Sequence, residues 1–366
     1  MRTNFLVPVS ILIIIMSGCQ INEHSHVVEV AHVDSLIFKS IGTLEMSKNS
    51  PLINWSYFSR SDLEETTLLS AFSPIDSTFY SVHVENSRIK FIPICSASGV
   101  ERFNSKFLDS CSFITLDNET GVFQHETNGV IAREWKFEDF VPQVIPNREM
   151  RILDNNLYVL NSSSSHYVNQ IDAAQSYYRD VNPILRFDIG NPIQTVSSIG
   201  RFPSWYSDAK VKISDYQPFF CVDSWNRCVL SFGFSDSLIV VEKNSVKSIS
   251  CKSSFYEEPT FLTFKDGKSL SETRKFQTES ARYMSIFFNS YRNEYYRFLK
   301  HKSEAGEPAN YSIVVMDYEF NVLSEWIFDS SKFALNPLIF TSRGFLLPNI
   351  DVISETKRPH FEHFSM

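Results

Sequence analysis

Short runs of apolar and β-favouring residues, each closed by Asp, Asn, Gly or Ser, recur along the chain. This alternation of apolar runs and polar breaks is typical of strands separated by turns, and few segments show the period of a helix. The pattern therefore predicts an all-β fold. The clearest predicted strands are 79–84, 89–94, 113–116, 157–160, 184–187, 219–222, 238–241, 312–316 and 345–347.

Residues 271–302 combine two patterns. The segment 271–283 has the composition of an amphipathic helix. The segment 284–300 changes period, because two runs of strand-forming residues flank the polar residues 289–293. We expect a β-hairpin over 284–300.

A repeated unit consists of an apolar strand that ends in Asp, a few polar residues and a second apolar strand. We interpret these aspartates as turn caps, because an Asp carboxylate at this position accepts a hydrogen bond from the backbone two residues further on. The alternative is that they are catalytic or bind calcium. The aspartates are Asp117, Asp188, Asp223 and Asp317.

Repeated hairpins in one large body indicate a β-propeller, in which four-stranded blades surround a channel and closure leaves few exposed edges. Known propeller repeats span roughly 40 to 50 residues per blade. We expect residues 31–366 to form a single propeller domain of six blades, with seven as the alternative number. A pair of β-sandwiches or a β-solenoid would be consistent with the same strands. The final segment, 352–366, is expected to pack on the last blade or to fray.

The N-terminus has the features of a targeting segment. Arg2 is followed by the apolar residues 5–16 and the small residues Ser17 and Gly18. A membrane-spanning helix needs about 20 apolar residues, so this run is too short to be an anchor. We expect residues 1–18 to be a removable signal peptide.

The residues around the expected cleavage point, Met16-Ser17-Gly18-Cys19, resemble the lipobox of bacterial lipoproteins. The resemblance implies that the Cys19 thiol is acylated with fatty acids such as palmitate and becomes the new N-terminus. Residues 19–30 would then be the lipidated cysteine and a polar tether. An ordinary secretory signal is the alternative. Several acyl chains give durable attachment, so we expect a protein of the cell envelope, anchored in the outer membrane.

Composition narrows the classes of partner. Lys and Arg total 34 against 42 Asp and Glu, for a net charge of −8, and the basic residues are scattered along the chain. Nucleic-acid binding is therefore disfavoured. Aromatic residues make up 14% of the chain, enough for a large core. We expect a monomer without a cofactor.

Five cysteines remain beside Cys19, an odd number for an exported protein. No spacing among them matches a structural zinc site, so no metal is expected. A turn centred on Ser224 and Trp225 would place Cys221 opposite Cys228, where a cross-strand disulfide could form. The alternative is two buried thiols. Cys95 and Cys111 are a second candidate pair.

A wider resemblance covers most of the mature chain. The lipobox, the hairpins, Tyr295-Tyr296-Arg297-Phe298 and the segment 340–346 are similar to a group of uncharacterised lipoproteins of Bacteroidetes-type bacteria. That resemblance implies a six-bladed propeller similar to that of the TolB family. It implies no catalytic residues.

The densest cluster of aromatic and arginine residues is the candidate ligand-binding site, because such clusters bind sugars, peptides or carboxylates when they line a groove. Strand alternation would place Tyr296 and Phe298 on one face, with Tyr295, Arg297 and Leu299 on the other. Ordinary packing inside a blade is the alternative. The candidates are Tyr291, Arg292, Tyr295, Tyr296 and Arg297, together with Trp225.

No standard catalytic motif occurs in the sequence, neither a nucleophile elbow nor a phosphate-binding loop nor a zinc-protease helix. The sequence therefore favours a membrane-tethered binding module whose ligand is a peptide, a glycan or another envelope protein. The alternative is an extracytoplasmic hydrolase or lyase that acts on glycans, with its site in the propeller funnel. The sequence favours the first without excluding an enzyme.

The lipobox interpretation predicts that lipid is attached at Cys19. In cells fed a labelled fatty acid, Cys19→Ala should abolish incorporation of label and release the protein from the membrane fraction. Cys111→Ala is the matched control and should label like the wild type. Equal labelling of Cys19→Ala and wild type would contradict the assignment.

Overall fold

The computed structural model describes the strands between residues 40 and 136 and the chain from 150 to 365. The predicted signal 1–18, Cys19, the tether and Cys111 lie outside the described residues. Within the second part, the gaps are 162–170, 192–195, 212, 214–215, 244, 263–268, 305–308, 336–337 and 352–359.

The described residues form 24 strands and three short helices. The first nine strands are β1 (Ser40–Met46), β2 (Ser59–Leu63), β3 (Thr66–Ser73), β4 (Thr78–Glu85), β5 (Arg88–Ser96), β6 (Ser105–Phe107), β7 (Ser112–Asp117), β8 (Gly121–Glu126) and β9 (Ile131–Lys136). The next elements are β10 (Arg151–Leu153), β11 (Asn156–Leu160), α1 (Ile171–Asp180), β12 (Ile184–Asp188), β13 (Val196–Ile199), α2 (Ser204–Asp208), β14 (Phe219–Val222), β15 (Cys228–Ser231), β16 (Ser237–Glu242) and β17 (Ser245–Ser250). The last are α3 (Leu270–Glu279), β18 (Arg282–Asn289), β19 (Glu294–Lys300), β20 (Tyr311–Met316), β21 (Val322–Phe328), β22 (Ile339–Thr341), β23 (Gly344–Pro348) and β24 (His360–Ser365).

Four of the sheets are antiparallel meanders of four strands in chain order: β6 to β9, β10 to β13, β14 to β17 and β18 to β21. They have a propeller-like arrangement. The fifth sheet has eight strands in the order β2-β3-β4-β5-β1-β24-β23-β22. The prediction of an all-β, propeller-like fold is confirmed at this level.

The C-terminal segment differs from its prediction. β24 pairs with β1 on one side and with β23 on the other, so it lies inside the eight-stranded sheet. The expectation of a packed or frayed tail was therefore wrong for 360–365. The reason is that the backbone groups of β24 are satisfied by β1, a strand more than 300 residues away in the sequence, and local patterns do not report such pairing.

The helix and hairpin in 271–302 are both present. Ser269 caps α3, because its hydroxyl accepts a hydrogen bond from the Glu272 amide at 3.3 Å. The hairpin β18–β19 follows, with its turn at 290–293. The predictions did not include α1 and α2. α1 lies between two strands of one sheet and buries Ala174, Tyr177 and Tyr178. In the described residues, no helix is long and apolar enough to span a membrane.

β19 illustrates how the sheets pack, because all seven of its residues are buried. Tyr296 and Phe298 pack in one cluster with Phe340, whereas Tyr295 faces the opposite cluster with Val229. The alternation predicted for this strand is confirmed. Burying one such aromatic ring contributes roughly 2 to 3 kcal/mol, and both faces of the strand contribute.

Arg297 is a fully buried side chain that links two of the sheets. Its guanidinium donates to the Ser231 hydroxyl at 2.9 Å and to the backbone oxygens of Ser235, Asp236 and Cys251 at 2.6 to 3.0 Å. These acceptors are neutral, and burial lowers the pKa of Arg297. The guanidinium carbon lies 3.3 Å from the centre of the Tyr283 ring, a cation–π contact. Arg297 therefore holds the 231–236 segment and the residue after β17 against β19.

Because several tyrosines are buried, the free energy of unfolding of this fold decreases at alkaline pH. Burial raises the pKa of Tyr283 to about 12, and burial raises the pKa values of Tyr177, Tyr178, Tyr256 and Tyr296 further. An unfolded tyrosine ionises near pH 10, so above that pH the unfolded state binds fewer protons than the folded state. The contribution of these tyrosines to the free energy of unfolding is therefore fully present below pH 10 and decreases as pH rises.

We predict that the free energy of unfolding falls by roughly 1.4 kcal/mol per pH unit for each of these tyrosines above pH 10. Lys300 acts in the opposite direction at lower pH, since burial lowers its pKa to about 8 and stability rises slightly between pH 8 and 10.5. Urea unfolding at a series of pH values measures both effects. Tyr283→Phe should reduce the alkaline slope by one group, and Tyr291→Phe, at an exposed position, should leave it unchanged. An alkaline slope that Tyr283→Phe leaves unchanged would contradict the prediction.

Candidate functional site

The turn between β14 and β15 is organised by Asp223, whose side chain is fully buried. Its Oδ1 atom accepts hydrogen bonds from the amides of Trp225 and Arg227, both at 2.9 Å. Asn226 adopts the left-handed conformation at φ 61°, which Asn tolerates. The turn therefore fixes the backbone of residues 223–227 and directs their side chains.

The turn between β20 and β21 repeats this geometry. Asp317 Oδ1 accepts from the amides of Glu319 and Asn321 at 2.8 and 2.9 Å, and its Oδ2 accepts from the Asn321 side chain at 2.9 Å. Asp188 accepts from two amides in a similar way. The interpretation of these aspartates as turn caps is confirmed for the three whose side chains are described; the side chain of Asp117 is outside the described residues.

Phe320 occupies the position in the second turn that Asn226 occupies in the first, and it also has a left-handed backbone, at φ 70°. This conformation is strained for a bulky residue and costs about 1 to 2 kcal/mol. The strained backbone places the Phe320 ring in a stack on Tyr295, with ring centroids 4.7 Å apart and planes 20° apart. The buried Phe320 ring thus packs beneath the neighbouring turn.

Arg227 connects the two turns. Its Nε atom forms an ion pair with Asp223 Oδ2 at 2.6 Å, and its Nη2 atom donates to the Tyr295 hydroxyl and to the Tyr318 carbonyl, both at 2.9 Å. The Tyr295 hydroxyl in turn donates to Asp223. Burial lowers the pKa of Arg227, but the hydrogen bonds and charges of Asp223 and Tyr295 outweigh it and raise that pKa above its usual value. The guanidinium is therefore charged, and its charge is matched within the protein.

Two half-exposed aromatic rings lie beside this guanidinium. Trp225 is 46% exposed and Tyr318 is 49% exposed, and their ring centroids are 5.9 Å apart with planes tilted by 40°. The Arg227 guanidinium carbon lies 4.9 Å from the centre of the Trp225 ring. Its Nη1 atom donates to no protein acceptor in the described part of the chain, and 15% of the side chain is exposed. We call Trp225, Arg227 and Tyr318 the Trp225–Tyr318 surface.

The neighbouring sheet also contacts this surface. The Asn226 side chain donates to Asp154 Oδ2 at 3.0 Å, and Asp154 lies in the turn between β10 and β11 with φ 50°. Turns from three successive sheets are therefore joined by direct hydrogen bonds. A rigid support of this kind positions side chains for binding more precisely than a mobile loop does.

The structure separates the aromatic and arginine cluster predicted from the sequence. Tyr295, Tyr296 and Arg297 are fully buried and have no surface to offer a ligand, so the ligand-binding interpretation was wrong for these three. They lie inside β19, where both faces of the strand are covered by neighbouring sheets. Ordinary blade packing, the alternative, is what the structure has at these positions.

The remaining candidates are at the surface. Tyr291 and Arg292 lie in the exposed turn between β18 and β19, where Arg292 pairs with Glu294 at 3.1 Å. Glu294 also accepts a hydrogen bond from the Tyr296 hydroxyl at 2.8 Å. Arg292 is thus partly engaged by the protein, whereas Trp225 forms part of the Trp225–Tyr318 surface. A ligand-binding role for Tyr291, Arg292 and Trp225 stays a prediction.

The cysteine hairpin has a different register from the one expected. Cys221 pairs with Val229, and Cys228 pairs with Val222. The reason is that the turn comprises 223–227 and is centred on Trp225, whereas the expected turn was centred between Ser224 and Trp225. The two thiols consequently point to opposite faces and pack in different clusters. Both are free and buried, so the proposed disulfide does not form in this structure. The alternative of two buried thiols is what the structure has.

A second polar cluster lies at the other end of the same two sheets. Glu325 accepts hydrogen bonds from the hydroxyls of Ser253, Ser254 and Ser312, and from the Ser254 amide at 2.9 Å. The serines bond directly to the carboxylate, with no histidine between them, so the geometry is that of a structural link rather than of an activated nucleophile. In the described residues, no three His, Cys, Asp or Glu side chains are grouped so that they could hold a metal ion.

Sequence reasoning missed Arg227, Tyr318 and Phe320. The available signal was the likeness of Asp223-Ser-Trp-Asn-Arg227 to Asp317-Tyr-Glu-Phe-Asn321. In both segments, Asp is followed four residues later by a side chain that returns to its carboxylate. Aromatic residues between these two positions are directed outward or toward the neighbouring turn.

Comparison with known proteins gives a family and a fold. The family described as "Domain of unknown function (DUF4221)" matches residues 37–326. The crystal structure of a DUF4221 family member from Bacteroides vulgatus is similar with a TM-score of 0.67 and 17% identity, over 90% of this chain and 97% of that chain; this likeness shows the fold alone. BamB from Moraxella catarrhalis is a weaker match, with a TM-score of 0.35 and 7% identity over 82% of this chain and 70% of that chain. No curated protein matches the chain.

The two Asp turns offer a matched pair of variants. Asp223→Asn should lower the free energy of unfolding by about 3 kcal/mol, because it leaves the partly buried Arg227 charge without a counter-charge. Asp317→Asn should lower it by about 1 kcal/mol or less, since the amide oxygen can still accept the turn hydrogen bonds and no charge is left unpaired. Urea unfolding of both variants measures the difference. Equal losses would show that the ion pair contributes nothing beyond the turn.

Proposed function

The chain belongs to the DUF4221 family of domains of unknown function, and we propose that it is a lipid-anchored binding module of the cell envelope. In this proposal a six-bladed propeller is held at the outer membrane through Cys19 and presents the Trp225–Tyr318 surface to a ligand. The single observation that carries the binding function is the pair of half-exposed aromatic rings beside a guanidinium whose Nη1 atom has no acceptor in the described part of the chain.

The proposed number of blades rests on the eight-stranded sheet, which divides into two groups of four. β2 to β5 form one antiparallel meander, and β22, β23, β24 and β1 form the other. The groups meet only where β1 pairs with β5 over two residues in a parallel direction. The first strands of neighbouring sheets contact one another: β2 contacts β6, β10 contacts β14, and β14 contacts β18. Four sheets and these two groups would give six blades.

The sixth blade would join the N-terminal strand β1 to three C-terminal strands. Such a closure leaves neither end of the ring with a long unpaired edge. The predicted tether 19–30 precedes β1, which begins at Ser40, so the anchor would be attached near the outer strand of this blade. The propeller face that carries the Trp225–Tyr318 surface would then be available to ligands.

The buried carboxylate at this surface supports binding rather than catalysis. Asp223 accepts two backbone hydrogen bonds on one oxygen, and its other oxygen is bonded to Arg227 and to Tyr295. A carboxylate with all of these partners and no exposed surface cannot act as a general acid or base toward a ligand. It is well suited to hold Arg227 and the turn in one geometry.

We predict that the purified protein retains an envelope component and that Trp225→Ala releases it. Removal of a half-exposed ring at the centre of a binding surface weakens affinity by roughly tenfold or more. Affinity capture from an envelope extract, followed by analysis of both proteins and glycans, is the measurement. Trp225→Ala should fold normally, because nearly half of the side chain is already in solvent.

Phe255→Ala is the matched control, since Phe255 is also an exposed aromatic residue, 40% accessible. It follows β17, which runs away from the 223–227 turn, so it lies at the opposite end of the sheet. This variant should retain the component as the wild type does. Loss of capture in both variants, or in neither, would contradict the assignment of binding to the Trp225–Tyr318 surface.

A further inference from the structure

We infer that the ligand of the Trp225–Tyr318 surface is a neutral glycan. This inference rests on the proposed binding function and specifies its chemical class. Three properties of the surface determine the class: the charge of Arg227, the charges around Tyr318, and the donors and rings that remain available to a ligand.

Arg227 does not make the surface attractive to anions. Its positive charge is paired with the buried Asp223 carboxylate at 2.6 Å. The second turn adds negative charge, because Asp317 and Glu319 flank Tyr318 and the Tyr318 hydroxyl donates to Glu319 at 3.2 Å. On the other side, Asp154 is held by Asn226. An anionic ligand would meet three carboxylates and a guanidinium that is already neutralised.

A cationic ligand is disfavoured for a different reason. Aromatic rings bind cations through the negative potential of their faces. The Arg227 guanidinium lies against Trp225, with its central carbon 4.9 Å from the ring centre. This contact covers one face of the ring, and an ammonium or guanidinium group brought against Trp225 would meet the Nη1 donors of Arg227 without offering them an acceptor. The surface therefore favours a ligand without net charge.

The groups left for a neutral ligand are two tilted rings and the Nη1 atom, which carries two N–H donors and has no acceptor among the described residues. A pyranose has an apolar C–H face that can pack on an aromatic ring, and it has closely spaced oxygens that can accept from both donors of one nitrogen. In an extended peptide, successive carbonyls are about 3 Å apart along the chain and point in different directions. One amide carbonyl would leave the second donor unmatched, so a glycan satisfies the surface more completely than a peptide.

The rigidity of the surface supports the same class. Trp225 and Tyr318 project from turns held by Asp223 and Asp317, and Arg227 bridges these turns by its bond to the Tyr318 carbonyl at 2.9 Å. Side chains held in this way lose little conformational entropy on binding. A preformed surface of this kind can bind a small and weakly interacting ligand such as one or two sugar units.

Binding of defined probes tests the inference. The full mature protein is titrated with neutral gluco-, manno- and galacto-oligosaccharides, with oligogalacturonates of the same length, and with a proline-rich peptide, by calorimetry and tryptophan fluorescence. At least one neutral oligosaccharide should bind, with an affinity that does not change with salt concentration. Trp225→Ala and Tyr318→Ala should each weaken this binding roughly tenfold. Trp225→Phe should retain most of the binding, and Phe255→Ala should leave the binding unchanged.

The possible results separate this inference from the proposed function. Tighter binding of oligogalacturonates than of every neutral oligosaccharide would overturn the charge argument, and binding of the peptide alone would overturn the glycan class. If Trp225 is required for capture from envelope extract but no neutral oligosaccharide displaces the captured component, the neutral-glycan inference fails and the binding function stands. If nothing is captured, the proposed function itself fails.

Discussion

Inner strands of the sheets between residues 150 and 328 are buried on both faces, and this constraint determines how those sheets are arranged. β19 shows it most fully: all seven residues are buried, with Tyr296 packed toward Phe340 and Tyr295 packed toward Val229. A single four-stranded meander cannot cover both of its own faces. Each such sheet therefore needs a neighbouring sheet to cover it, and the propeller-like arrangement of the four-stranded sheets supplies one.

Polar groups between the sheets make this packing specific. Arg297 is buried among apolar side chains, yet its donors are matched by a serine hydroxyl and three backbone oxygens of the adjacent sheet. Arginine suits the position because its planar group donates in several fixed directions. Arg227 uses the same property at the edge of the interface, where it joins Asp223, Tyr295 and the Tyr318 backbone. The surface with exposed rings is thus an extension of the sheet interface, and the strained backbone of Phe320 is held in place by that packing.

Local chemistry in the sequence was sufficient to locate several of the strands and turns. The apolar runs at 219–222, 238–241 and 312–316 correspond to β14, β16 and β20 within a residue or two. The turn role of Asp188, Asp223 and Asp317 was predictable because an Asp side chain reaches its own backbone two residues on. The alternation of Tyr295 and Tyr296 in β19 followed from the pleat. All of these properties depend on residues that are close together in the sequence.

The register of the cysteine hairpin and the location of the candidate surface required the tertiary structure. Cys221 and Cys228 point to opposite faces because the turn over 223–227 shifts the pairing by one residue from the expected register. A shift of one residue moves each side chain of the strand to the other face relative to its partner strand. Tyr295 and Arg297 have the composition of a binding cluster but are buried, since sheets from elsewhere in the chain cover them. Trp225 and Arg227 are about 90 residues from Tyr318 in the sequence, and they meet it only when two sheets pack. The sequence determined strands, turns and face alternation, which are local, whereas packing between distant segments decided which aromatic and charged side chains are exposed together.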